Sequence, residues 1–309
     1  MPAAAQGAVL GAEALESVGT TLLDASKPLR ERFRALFTLR NVGGPEAIDW
    51  ISRGFGDGSA LLKHELAYCL GQLQDPRALP VLSHVLQDPG QEPMVRHEAG
   101  EALGAIGKPE VLELLQQYSH DPVVEVAETC QLAVKRIEWL QNNKEQTGNP
   151  YHSVDPAPPA QEKDIKKLRD ILLDESVPLF DRYRAIFALR NIGSEEAVLA
   201  LGEGLQCGSA LFRHEIGYVF GQMQHEASVP QLIEALKKLD ESPMVRHECA
   251  EALGSIAKEP CIQVLKEYLQ DGERVVKESC EVALDMLEYE NNQEFQYADG
   301  LVKWNKNNL

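Results

Sequence analysis

The chain has 309 residues, enough for two domains of ordinary size, and its 44% hydrophobic and 25% charged residues are the balance of a globular protein. A formal net charge of −18 works against a nucleic-acid backbone or an anionic membrane as the main partner, because like charges repel, and favours a cationic ligand or a basic protein. No stretch approaches the roughly 20 apolar residues of a membrane span. The opening MPAAAQGAVLGAEALE has no basic region and only a short, weak apolar run, so no signal peptide is expected.

In chain order, the first strong pattern is LRERFRALFTLRNVG at 29–43, followed by GSALLKHELAYCLGQL at 58–73 and PMVRHEAGEALGAI at 93–106. A weaker fourth copy lies near Asp121–Ala133. Leu39, Leu70 and Leu103 end similar patterns, which sets a period of about 31–33 residues with two helices per unit. Apolar residues recur at helical spacing and no run alternates as a strand would. The stretch 142–164 carries four prolines and few apolar residues and reads as a flexible linker without packed contacts. Beyond it the series returns as LFDRYRAIFALRNIG at 179–193, GSALFRHEIGYVFGQM at 208–223 and PMVRHECAEALGSI at 243–256, with a fourth window near Asp271–Ala283. All three strong matches share one offset, 150 residues (29 to 179, 58 to 208, 93 to 243). The expected organisation is an all-α, helical-repeat solenoid of two duplicated halves, 1–141 and 165–290. Each half has about four helix pairs, and a polar tail follows at 291–309.

The six cysteines, Cys69, Cys130, Cys207, Cys249, Cys261 and Cys280, form no CxxC pair, and most fall within apolar helical patterns. Reduced core thiols of a cytoplasmic protein are expected, not a disulfide framework.

Four of the eight histidines stand directly before a glutamate: His64-Glu65, His97-Glu98, His214-Glu215 and His247-Glu248. Within each half the pairs are 33 residues apart (64 to 97 and 214 to 247). In the first half's outer copies the matching positions read as Phe33-Arg34 and Val126-Ala127. Leu62, Leu66, Cys69, Leu70 and Leu73 make one apolar helical stripe, and His64 lies roughly opposite it. His97 likewise opposes Val95, Ala99, Ala102, Leu103 and Ile106. A lone helical histidine is ordinarily a core or surface residue, but these four avoid the core stripe. The second helix of each pair should line the inner surface of a solenoid, with Gly71 and Gly104 leaving room beside the imidazoles. Two imidazoles and a carboxylate are the ligand set of non-haem Fe(II) sites. If the halves face each other, two metals meet four His and up to four Glu, as in helical carboxylate di-iron proteins. Structural zinc would call for cysteines, and none is placed for it; hydrolysis at a paired zinc or manganese site stays open. Glu101, Glu251, Tyr68 and Tyr218 share the histidine face and are candidates to bind a cationic substrate or simply to line the groove.

With duplicated halves and His-Glu pairs in PMVRHE and GSALxxHE contexts, the sequence resembles the deoxyhypusine hydroxylase family over nearly its whole length. The resemblance implies eight HEAT-like repeats and a di-iron centre that uses O2 to hydroxylate the deoxyhypusine side chain of eukaryotic translation initiation factor 5A. It also implies an external electron donor. Carried over, His64, His97, His214 and His247 would bind iron and glutamates of the same pairs would complete the shells, one iron to each half. Which glutamates bind metal and which hold substrate stays open at this point. A non-catalytic HEAT-repeat adaptor and a bilin-lyase-like repeat protein are the alternatives.

Overall fold

The computed structural model describes residues 12–143 and 149–290, with residue 298; the tail expected at 291–309 otherwise lies outside the described residues. Every described α-helix packs against its neighbour in the chain, in eight successive pairs. The first half comprises α1 (Ala12–Leu23), α2 (Leu29–Val42), α3 (Gly44–Ser52), α4 (Ala60–Leu73), α5 (Leu79–Gln87), α6 (Pro93–Ile106), α7 (Leu112–Tyr118) and α8 (Val124–Asn142). The second comprises α9 (Ile165–Leu173), α10 (Leu179–Ile192), α11 (Glu195–Glu203), α12 (Ala210–Met223), α13 (Val229–Lys237), α14 (Pro243–Ile256), α15 (Glu259–Tyr268) and α16 (Arg274–Glu290). No described helix is long and apolar enough to cross a membrane.

Local chemistry starts and stops the helices that matter most. Ser59 and Ser209 cap α4 and α12 by accepting the N–H groups of Leu62 and Phe212. Pro93 and Pro243 occupy the first position of α6 and α14, where no N–H is needed. Gly107, with φ +73°, ends α6 in the left-handed region.

The second helices form the inner layer. In the first half α2, α4, α6 and α8 pack in series; in the second α10, α12, α14 and α16 do the same. The two series then close on each other, since α8 meets α10 and α12 while α16 meets α2 and α4. The result is a ring. Each half keeps its own core, but Leu132 of α8 belongs to the second half's core and Val282 of α16 to the first's. Ser59 Oγ donates to Glu278 (2.7 Å) and Ser209 Oγ to Glu128 (2.6 Å), two related bonds across the junctions. Arg34 grips the Asp285 carboxylate there as well.

Three sequence expectations need correction. His64 and His97 are the fifth residues of their helices, and the fifth residue of α8 is Glu128. The fourth-copy match is therefore Glu128, not Val126-Ala127; α7 has 7 residues against the 9 of α5, so the register could not be counted from period alone. Gly71 and Gly104 do not make room for imidazoles. A Cβ at Gly71 would come within 2.8 Å of Ala102 Cα, and one at Gly104 within 2.7 Å of Ala133 Cβ, so these glycines let neighbouring inner helices approach. Finally, the described part of the proline-rich stretch packs. Ala157 is buried, Asp155 pairs with the buried Arg190, and Gln72 bonds the Val154 backbone in both directions. Prolines forbid a helix there but not contact.

Candidate metal centre

Ring closure brings the four histidines together. Ring centroids lie 5.4 Å apart for His64–His97 and for His214–His247, within the halves. Between halves they are 5.2 Å for His64–His247, 5.4 Å for His97–His214 and 5.7 Å for His64–His214. Matched distances across the 150-residue offset describe a near two-fold axis through the cluster. All four residues are buried, His97 and His247 completely. Yet both ring nitrogens of His64 and of His214, and Nε2 of His97 and His247, have no hydrogen-bond partner. A buried polar atom left unpaired is costly, and buried imidazole nitrogens are normally satisfied. Every one of the four rings thus has an unpaired nitrogen that it could give to a metal ion.

The carboxylates separate into two sets. Glu98 Oε2 lies 3.3 Å from His64 Nε2, and Glu248 Oε2 lies 3.3 Å from His214 Nε2. Ligand atoms close enough to share an ion occur in the groups His64/His97/His214, His214/His247/Glu248 and His97/Glu98/Glu101. Glu65 and Glu215 stand outside all three groups, although both are buried beside them. The far nitrogens of the inner pair have neighbours of their own. Thr129 Oγ1 sits 3.5 Å from His97 Nδ1, and at the related place Glu251 sits 3.4 Å from His247 Nδ1 and accepts from Ser279 Oγ at 3.1 Å. Such partners orient a ligating imidazole so that Nε2 points at the metal.

The electrostatics of the cluster favour a cation. Burial, then the neighbouring carboxylates, push the Glu65, Glu101 and Glu215 carboxyls well up from their usual range. Burial does the same to Glu248, and to Glu251 in smaller measure. Burial, then the other imidazoles, hold His97 and His247 well down. His214 is held down to about 3 by burial and by the His64 charge. For His64 burial acts downward, but Glu98, Glu248 and Glu251 outweigh it and raise the group. The two related histidines differ because a proton on one repels a proton on the other. A dication would relieve both strains, stabilising the carboxylates and filling the bare nitrogens.

A cavity of about 320 Å³ opens above the centre. His64, His214, Glu65, Glu98, Glu101, Glu215, Glu248 and Glu251 line its floor. Tyr68 and Tyr218 bridge it, with their hydroxyls 3.0 Å apart and rings edge-on at 6.0 Å. All eight His and Glu residues, and the four suggested substrate contacts, therefore converge. Arg40, Gln222 and Ser153 also line the cavity. Sequence reasoning passed over them because each carries meaning only through a partner far away in the chain.

A ring of paired helices with a buried His/Glu cluster at its centre defines a class, the HEAT-repeat proteins, here with a cluster that could hold a metal ion. The chain matches the HEAT repeats over residues 16–92, 55–135 and 198–285, and the PBS lyase HEAT-like repeat over 181–207. It is 71% identical over 294 residues to deoxyhypusine hydroxylase of Danio rerio, covering 94% of this chain and 96% of that protein. It is 69% identical over 288 residues to the Homo sapiens deoxyhypusine hydroxylase, covering 93% and 95%. A solved structure of human deoxyhypusine hydroxylase in complex with glycerol superposes with a TM-score of 0.89 at 69% identity, covering 90% of this chain and 96% of that one. The chain belongs to the deoxyhypusine hydroxylase family and is a hydroxylating enzyme.

Proposed function

We propose that this enzyme hydroxylates the deoxyhypusine side chain of eukaryotic translation initiation factor 5A at a centre of two iron ions. O2 is the co-substrate, and an external donor returns the electrons. The observation that carries the reading is the set of six buried imidazole nitrogens without partners. An adaptor or a bilin-lyase-like protein would leave them with no role.

His64, His97 and Glu98 would hold one ion and His214, His247 and Glu248 the other. Each set is two imidazoles and a carboxylate, which leaves positions for O2. The 3.3 Å approach of Glu98 and Glu248 to the histidines favours them over Glu65 and Glu215 as ligands. The iron supplies oxidation of a C–H bond; the protein's residues supply position and field. Glu65, Glu101, Glu215 and Glu251 face the cavity and would receive the ammonium groups of the substrate. Tyr68 and Tyr218 would pack against its methylenes, and the surrounding apolar helices keep water out. The net charge of −18 draws a basic protein toward the mouth. Six free, buried cysteines suit a reducing compartment, the cytoplasm.

The test is iron analysis and hydroxylase assay of iron-loaded protein with the deoxyhypusine form of the factor. Wild type should bind two irons and hydroxylate. Glu98→Gln should lose iron, whereas Glu65→Gln should keep both irons and raise KM. Equal iron loss in the two variants would overturn the ligand assignment. An iron-free, inactive wild type after anaerobic loading would overturn the function.

A further inference from the structure

The metal centre is two-fold symmetric, but the cavity above it is not. Phe187, Arg190 and Gly71 are buried, whereas their counterparts Phe37, Arg40 and Gly221 are half-exposed and line the opening. Part of the difference at Gly71 is the closer helix approach there (2.8 Å to Ala102 Cα against 3.4 Å at Gly221), and at Arg190 it comes from residues 149–158, which cross the mouth over the side built by α4, α6, α8 and α10. Arg136 Nε donates to the Asp155 carbonyl (2.8 Å), and Gln72 holds Val154 N–H (2.8 Å) and C=O (3.1 Å). Arg190 donates both terminal nitrogens to Asp155 (2.9 and 2.7 Å), lies 4.8 Å from the Tyr151 ring and also donates to Gln222 Oε1 (2.8 Å). Gln222 Nε2 in turn donates to Ser153 Oγ (2.9 Å) and to Tyr218 Oη (3.0 Å). A fixed chain of bonds thus runs from the crossing segment to the tyrosine pair over the metals. The related Gln72 gives both ends of its amide to the segment instead.

Length is the property such a wall can measure. A side chain entering past Phe37 and Arg40 crosses the centre and ends against Ser153 and Tyr218, beside Glu101 and Glu215. We propose that the crossing segment is an end stop. Asp155 and Gln222 are positioning residues that fix it, and Ser153 and Tyr218 form its face, so that depth decides which carbon of a long cationic side chain lies over the metals. This rests on the reading that deoxyhypusine occupies this cavity.

The experiment uses iron-loaded full-length protein and two peptides, one carrying deoxyhypusine and one whose terminal aminoalkyl arm is a methylene longer. Wild type should favour the first by about tenfold in kcat/KM and hydroxylate one carbon. Ser153→Ala and Gln222→Leu leave the Arg190–Asp155 pair intact. Both should keep iron content and melting temperature, narrow the preference to within about threefold, and place the hydroxyl on more than one carbon. Two variants that retain the wild-type preference and a single product would overturn the end stop. A wild type that hydroxylates both peptides equally would overturn it while sparing the proposed function. A wild type that leaves both peptides unmodified would overturn both readings.

Discussion

His64 and His214 are unusual as buried residues because neither ring nitrogen of either makes a hydrogen bond, although a carboxylate oxygen lies 3.3 Å from each Nε2. Their helical phase, opposite the apolar stripe, is legible in the sequence, as is their company of glutamates. Which glutamates reach them is not, because Glu98 approaches His64 from the next helix and Glu65 from the same one. A second pattern at this scale links the repeats. Arg32, Arg96, Arg182 and Arg246 each donate Nε to the carbonyl of the leucine ten residues earlier. Three of them continue to a carboxylate in the next repeat, at Asp57, Asp121 and Asp271. Arg182 has no such carboxylate, since Cys207 stands where the duplication would put aspartate, and its Nη2 is buried without a partner. Cys207→Asp should therefore stabilise the protein by about 1–3 kcal/mol, read as a higher Tm. An unchanged or lower Tm would mean that burying the new carboxylate offsets the pair.

At the scale of elements, inner helices set the geometry of the centre by how closely they approach. Gly254 shows the constraint most sharply, because a Cβ there would lie 2.7 Å from both Cβ and the carbonyl oxygen of Ala283 on α16. Gly254→Ala must push α14 from α16. It should cost about 1–3 kcal/mol and weaken the iron binding we propose for His247 and Glu248, checked by denaturant unfolding and iron titration. Retention of both stability and iron affinity would show that α16 yields without moving the ligands. The crossing segment carries the opposite lesson about legibility. Its three prolines correctly exclude a helix. Its packing depends on Arg136, Arg190, Gln72 and Gln222, which no local composition reveals.

The whole molecule is held closed by junctions at α8–α10 and α16–α2 and, in the iron-loaded form we propose, by a centre where His64 and His97 of one half and His214 of the other bring ligand atoms close enough to share an ion. Chelating iron should loosen the halves and speed protease cleavage between them; equal cleavage with and without iron would argue that the junctions alone keep the ring shut. Acid should attack the repeat-to-repeat pairs. Burial pushes the Asp271 carboxyl up, but the Arg246 hydrogen bond, the Glu273 N–H and the Arg246 charge together hold it below its ordinary 3.8. A lowered folded value means stability present above 3.8 and lost as pH falls below it. Asp271→Asn should therefore cost about 3 kcal/mol at neutral pH and progressively less below that range, measured by urea unfolding across pH. A cost independent of pH would show that the charge is not what stabilises.

The duplication, the helix pairs and the phase of the four histidines are properties of spacing along one chain, and the sequence determined them unaided. Tertiary structure alone decided that the solenoid closes into a ring, that Glu98 and Glu248 face the imidazoles, and that half of the mouth is covered. Those features depend on distances between residues far apart in the chain, and a helical period carries no information about which distant surface will fold against it.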